Sequence, residues 1–395
     1  MKIVPAAITL LLFALASPAQ TFQHPGVLLS QPQLDLLKSQ VAAKANPYYE
    51  EFQWAKASHY GALDYHLQGP PSDNIIDCGS HSNPNHGCRE EDSDASAAYL
   101  QSVLWAITGD HRYAQNAITI LNAYGHNLKG YTNSNAPLQA AWGASKWARA
   151  AEIIRYTNAG WKPEDIQAFA HMLTTVQLPL IEKGSGANGN WELSMIEGTI
   201  GIAVFTDNRS LFDRAVAMWH ERVPAYFYYQ PIDGDHPQPL PRTDGKTSWN
   251  GQTIFNASLN GVSQETCRDL GHTEYAIAAT MNVAATAFIQ GVDLFAAEKD
   301  RLAAALQFNS SLELGNPIPA NLCGGTVQLS KVRATYVLGY NQLHNRLGIS
   351  LPTTLDFITR DVLTNPQPVD SGHIQIFEPL THYANLPSSQ SPRHN

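Results

Sequence analysis

The chain has 395 residues, of which 44% are hydrophobic and 15% charged, and its formal net charge is −9. That length and apolar content support a large buried core and exclude an intrinsically disordered chain, which needs low hydrophobicity or runs of charge. The acidic balance argues against a nucleic-acid binder, whose footprint is basic, and still allows a local basic cleft for a polyanion.

Residues 1–20 read as a cleaved secretory signal: Lys2 precedes an apolar run from Ile3 to Leu15, and small residues follow in Ala14-Leu15-Ala16 and Ser17-Pro18-Ala19. The run is short for a bilayer span, and no other apolar run nears about 18 residues, so a secreted protein without a membrane anchor is expected. Asn208-Arg209-Ser210, Asn256-Ala257-Ser258 and Asn309-Ser310-Ser311 are N-glycosylation sequons. Cys78, Cys88, Cys267 and Cys323 imply two disulfides in an oxidising compartment. Three pairings are open, and Cys78–Cys88 with Cys267–Cys323 is the expected one.

Apolar residues at spacings of three and four predict helices over 95–108, 112–124, 138–156, 163–181, 191–205, 210–222, 272–295 and 299–308. Short Gly, Asp, Asn or Pro separators divide them, and no series of alternating strands is evident. The expected architecture is all-α: stacked antiparallel hairpins in an (α/α) toroid or incomplete barrel. One domain is expected over 21–365, followed by a loosely held tail over 366–395. The stretches 67–93 and 230–262 break the helical pattern and are candidate lids or binding loops. The first holds Cys78, His81, His86 and Cys88, a set resembling a small metal knuckle. The oxidising compartment favours a disulfide-stapled lid over a metal site, with Arg89 as a contact for an acidic sugar.

The segment from Ser263 to Tyr275 carries the most chemistry. As a helix it would set Gln264, Arg268, His272 and Tyr275 on one face. An amide, a guanidinium, an imidazole and a phenol make a poor core stripe and a good active-site wall, although each alone has an ordinary surface or packing role. A second segment, Gly184-Ser185-Gly186-Ala187-Asn188-Gly189-Asn190-Trp191, is a tight turn into a helix. One asparagine there is an ordinary N-cap, and the other can aim its amide at a ligand.

The Asn-rich turn before a Trp-led helix, with Arg268 seven residues ahead of Tyr275, resembles the alginate lyase superfamily of secreted uronate-polysaccharide lyases. The block from Gln264 to Thr273 is similar to a sister group that includes glucuronan lyases. Leu138-Gln139-Ala140-Ala141-Trp142 and the stretch from Tyr340 to Gly348 add to the likeness, which spans about 25 to 360. The mannuronate lyases of that group carry a histidine directly after the asparagine; here Gly189 stands in its place, and His272 is the candidate to take over.

The resemblance implies β-elimination on a uronan such as alginate, mannuronan or glucuronan. The reaction must neutralise the C6 carboxylate, remove the C5 proton and protonate the O4 leaving group. The expected catalytic set is Asn188 as neutraliser, His272 as base or second neutraliser, Tyr275 as acid or combined acid and base, and Arg268 as uronate ligand. A free phenol titrates near pH 10 and a neighbouring guanidinium lowers that, whereas an imidazole titrates nearer neutrality. Asn190, Gln139, Trp142, Gln264, Arg89 and Arg346 are candidate sugar contacts; a Trp in a helical pattern is more often core. No cofactor or metal is required by the chemistry, the expected partner is an acidic polysaccharide, and a monomer is expected. The competing readings are a glycoside hydrolase, needing two carboxylates across a cleft from among Glu192, Glu197, Glu265 and Asp269, and a secreted glycan-binding protein without catalysis.

Overall fold

A computed structural model describes residues 21–186, 189–241, 248–330, 335–365, 372–374 and 377–384, apart from the Ser82 side chain. The expected signal segment, 1–20, lies outside the described residues. In chain order the helices are α1 (Gln31–Ala42), α2 (Tyr48–Ala57), α3 (Cys88–Thr108), α4 (His111–Asn127), α5 (Ala136–Tyr156), α6 (Pro163–Met172), α7 (Leu178–Ile181) and α8 (Gly189–Phe205). They continue with α9 (Arg209–Tyr226), α10 (Gln230–Asp233), α11 (Leu270–Ile289), α12 (Leu294–Ala297), α13 (Lys299–Glu313), α14 (Val337–Tyr340), α15 (Pro352–Phe357) and α16 (Glu378–His382). A small sheet of β1 (Ile75–Cys78), β2 (Asn85–His86) and β3 (Gly130–Thr132) has the order β2-β1-β3, antiparallel on the β2 side and parallel on the β3 side.

The outer helices follow the amphipathic pattern of the sequence. α4 buries Tyr113, Ala117, Ile120, Leu121 and Tyr124 on one stripe, and the Asp110 side chain caps it by accepting from the Arg112 N–H. Gly109, at φ 69°, lets the preceding helix α3 end in the left-handed region. The inner helices are different: every residue of α8 except Trp191 is buried. Small residues allow that close packing. A Cβ at Gly198 would lie 3.0 Å from the Ala144 Cβ, and one at Gly201 would lie 2.8 Å from the Ala148 Cβ.

These helices form the expected α/α toroid. α3 packs on α5, α5 on α8 and α8 on α11, while α4, α6 and α9 cover the outside. The ring then runs from α11 to α14, from α14 to α16, and from α16 to α1 and α2, and α1 returns to α3. This corrects the expectation of a loose tail over 366–395 for the part that is described. Within it His373, Ile374, Phe377, Glu378, Leu380 and His382 are buried, because the gap between α14 and α1 must be filled by an apolar element and this segment supplies it. The cysteines pair as Cys78–Cys88 and Cys267–Cys323. Asn309 is buried and donates to the Ala305 carbonyl, which closes that sequon in the folded chain, whereas Asn208 is exposed.

Candidate functional site

The inner helices α5, α8 and α11 begin at the same end of the ring, and a cleft of about 360 Å³ lies over their N-termini. α5 and the residue before it contribute Asn135, Leu138, Gln139 and Trp142; α8 contributes Asn190 and Trp191; the start of α11 and the turn before it contribute Arg268, His272 and Tyr275. The stapled loop after β1 closes another side with Cys78, Ser80 and His81. The helix dipoles make such an end favourable for anions. Among the described residues no carboxylate side chain lines the cleft.

Arg268 and His272 are set by two acidic residues behind them. Asp269 caps α11, accepting the His272 backbone N–H at 2.9 Å, and both its oxygens lie 2.7 Å from His272 Nδ1. A carboxylate can only accept, so Nδ1 carries the proton and Nε2 is left as the basic nitrogen. Burial works to raise the Asp269 carboxyl, but the hydrogen bonds from His272 and the charges of His272 and Arg268 outweigh it, and its pKa lies below the usual value. The second acidic residue, Glu265, is almost fully buried and collects four donors: the Asn190 amide at 2.7 Å, the Asn190 backbone N–H at 3.2 Å, the Tyr226 hydroxyl at 2.9 Å and Arg268 Nη1 at 3.2 Å.

Tyr275 stacks on Trp142, with ring centroids 5.5 Å apart and planes at 23°, and its ring lies 6.2 Å from that of His272. Gln139 spends its Nε2 hydrogens on the Cys88 carbonyl and on Glu91, at 3.1 and 2.8 Å. What it offers to the cleft is therefore its carbonyl oxygen. Burial pushes the Glu91 carboxyl up to about 7, against hydrogen bonds from Tyr131, Gln139 and Trp147.

The structure thus brings together Arg268, His272, Tyr275, Gln139, Trp142 and Asn190 of the residues expected from the sequence. Asn188 lies outside the described residues. Three expectations are corrected. Residues 264–268 are turns and not helix, since Asp269 caps α11, which starts at Leu270; Gln264 is buried, and its Oε1 accepts from Arg222 Nη1 at 3.3 Å. Arg89 is exposed and does not line the cleft. Arg346 is ion-paired with Asp293 at 2.7 Å and lies over the Phe288 ring, also away from the cleft lining. Sequence reasoning missed Ser80, Asn135, Leu138 and Trp191, and named His81 only as part of the cysteine loop, which was also the signal for Ser80. Gly189 has a structural reason as well: a Cβ there would collide with the Tyr226 ring and lie 2.8 Å from Gln264 Oε1, so no histidine fits after Asn188.

Residues 44–312 match the sequence model of a family described as alginate lyase. No curated protein matches the chain. Among solved structures, alginate lyase A1-III from Sphingomonas species A1 superposes with a TM-score of 0.59 at 14% identity, covering 91% of this chain and 98% of that one. A tyrosine-to-phenylalanine variant of alginate lyase A1-III complexed with tetrasaccharide gives 0.60 at 15% identity, covering 91% and 98%. A histidine-to-alanine variant with tetrasaccharide gives 0.58 at 13%, covering 91% and 97%.

Proposed function

The chain belongs to the alginate lyase family of polysaccharide lyases, and on that premise we propose that it is secreted after loss of residues 1–20 and cleaves a polyuronate, alginate (mannuronan) or glucuronan, by β-elimination at the cleft described above. The observation that carries the reading is the cleft lining: a phenol, an imidazole and a guanidinium at the positive ends of three helices, with no carboxylate among the described residues.

The uronate C6 carboxylate is held by Arg268, with the Asn188 amide as the second neutraliser when negative charge builds on it. His272 Nε2 takes the C5 proton, and Asp269 holds the ring in the tautomer that makes this nitrogen basic. The C5–H electron pair becomes the C4=C5 double bond, the C4–O4 bond breaks, and Tyr275 gives its hydroxyl proton to the departing O4. Gln139 and Trp191 contact neighbouring sugar atoms, while the Asn190 amide, at the cleft lining, donates to Glu265 and fixes the start of α8. Trp142 backs the phenol ring of Tyr275.

The hydrolase reading fares worse on geometry. Glu192 and Glu197 are buried in ion pairs with Arg222 and Arg149, Glu265 is buried under its four donors, and Asp269 is committed to His272. Among the described residues no pair of carboxylates faces across the cleft, as glycoside hydrolysis requires.

The test is ultraviolet absorbance over time on alginate block polymers, glucuronan and glycosaminoglycans. Elimination creates an unsaturated uronate that absorbs; hydrolysis does not. A rise on one uronan is the expected result. New reducing ends without absorbance would overturn the reading, and folded protein that does neither would leave glycan binding in its place.

A further inference from the structure

Tyr275 is fixed from behind by chain that follows it by nearly a hundred residues. His373 is fully buried, and its Nε2 lies 2.8 Å from the Tyr275 carbonyl oxygen. The two rings are 5.8 Å apart between centroids. A carbonyl only accepts, so Nε2 carries the proton. Burial lowers the pKa of this imidazole to about 3, so it is neutral, and its Nδ1 lies 3.2 Å from the Ser194 hydroxyl, whose one proton is shared between it and the Asn190 carbonyl at 2.8 Å. The His373 carbonyl accepts from Arg149 Nη2 at 3.1 Å, and Arg149 is ion-paired with buried Glu197. One residue earlier, Gly372 has φ 57°, and a Cβ there would come within 2.8 Å of the Trp142 indole. Residues 372 and 373 therefore lie against both members of the Trp142–Tyr275 stack, between α5, α8 and α11.

We propose that His373 is a positioning residue of the active site: the C-terminal segment returns to the middle of the ring and holds the Tyr275 phenol where the leaving oxygen must be. The inference rests on the reading of Tyr275 as the proton donor. The main-chain carbonyl of Tyr275 sits in the second turn of α11, and a donor anchored to α5 and α8 ties that turn to the helices that carry the rest of the cleft. A displacement of the reacting group by about 1 Å costs on the order of 10²-fold in rate. Among the described residues, Arg268, His272 and Trp191 make no hydrogen bond, ion pair or ring contact with His373, so binding is not expected to follow.

The experiment compares kcat and KM for His373→Ala, His373→Gln, Ser194→Ala and Tyr275→Phe on the uronan that gives the absorbance signal, each checked by thermal unfolding. His373→Ala should lower kcat about 10²-fold with KM nearly unchanged, and His373→Gln, whose amide both donates and accepts, should recover most of it. Ser194→Ala should lower kcat less, again with KM unchanged. A folded His373→Ala with parental kcat overturns the inference, as does a loss in kcat and KM together that Gln does not rescue. Should His373→Ala fail to fold, a His373→Gln of near-parental kcat beside a lowered Ser194→Ala supports the proposal, and a His373→Gln without activity overturns it. A fully active Tyr275→Phe would sink the reading of Tyr275 and this inference with it; an inactive Tyr275→Phe beside a fully active His373→Ala sinks this inference alone.

Discussion

Asp269 does two jobs at one position, and they can be separated. Its carboxylate caps α11 through the His272 N–H and holds the His272 ring through Nδ1. Asparagine is as good a cap as aspartate, but it lacks the charge that fixes the imidazole tautomer and, on the proposed mechanism, stabilises the imidazolium formed when Nε2 takes the proton. Asp269→Asn should therefore leave the unfolding midpoint close to the parent and lower kcat by about tenfold or more. Equal activity would remove His272 from the role of base. At this scale much of the candidate cleft was legible. Arg268, His272 and Tyr275 stood out because three polar side chains within eight residues are hard to bury. Gln264 was misjudged for the same reason: the helical period was extended upstream past Asp269, and the residue in fact fills the space beneath Gly189. Nothing in the spacing of Arg89 or Arg346 could reveal that one points to solvent and the other is taken by Asp293.

The element that shapes the open side of the cleft is the loop between Cys78 and Cys88. The disulfide joins its ends, β1 pairs with β2 and β3, and Ser80 Oγ lies 3.2 Å from Ser134 Oγ near the start of α5. His81 sits at the tip with φ 55°, in the left-handed region that non-glycine residues seldom adopt. Opening the loop with Cys78→Ser and Cys88→Ser together should release Ser80 and His81 and raise KM several-fold, by about 1 kcal/mol of lost binding, with kcat changed less. An unchanged KM would show the loop to be a staple for the fold and not part of the substrate site. The helices were the most legible elements, since 138–156 and 191–205 carry a full helical period and appear as α5 and α8 with ends shifted by two residues or fewer. The last short helix, α16, was not legible: five residues with a proline give no period to detect, and only the gap in the ring explains their burial.

The whole molecule carries many ionisable groups in its interior, and their shifts fix how its stability depends on pH. Burial raises Glu51 to about 8 and Glu91, Glu197 and Glu378 to about 7, from an ordinary value of 4.5. Each stabilises the fold while protonated, fully below 4.5, and that contribution is lost as pH rises through the folded value. Burial lowers His373 and His382 to about 3 from 6.5. Their contribution is full above 6.5 and is lost as pH falls toward 3. Between 4.5 and 6.5 the two sets oppose each other and the four carboxyls outweigh the two imidazoles, so the unfolding midpoint should be highest near pH 4.5 and fall on both sides. A midpoint that climbs steadily from pH 6.5 to 8 would contradict these assignments. The molecule-scale claim that matters most is that a ring of helices places a phenol and an imidazole over one anionic sugar and eliminates across its C4–O4 bond. The most direct measurement follows ultraviolet absorbance and reducing ends together for the parent and for Tyr275→Phe on the preferred uronan. The account predicts that both signals rise in step for the parent and that both fall by about 10²- to 10⁴-fold in the folded variant. Parental rates in Tyr275→Phe, or reducing ends without absorbance in the parent, would contradict it.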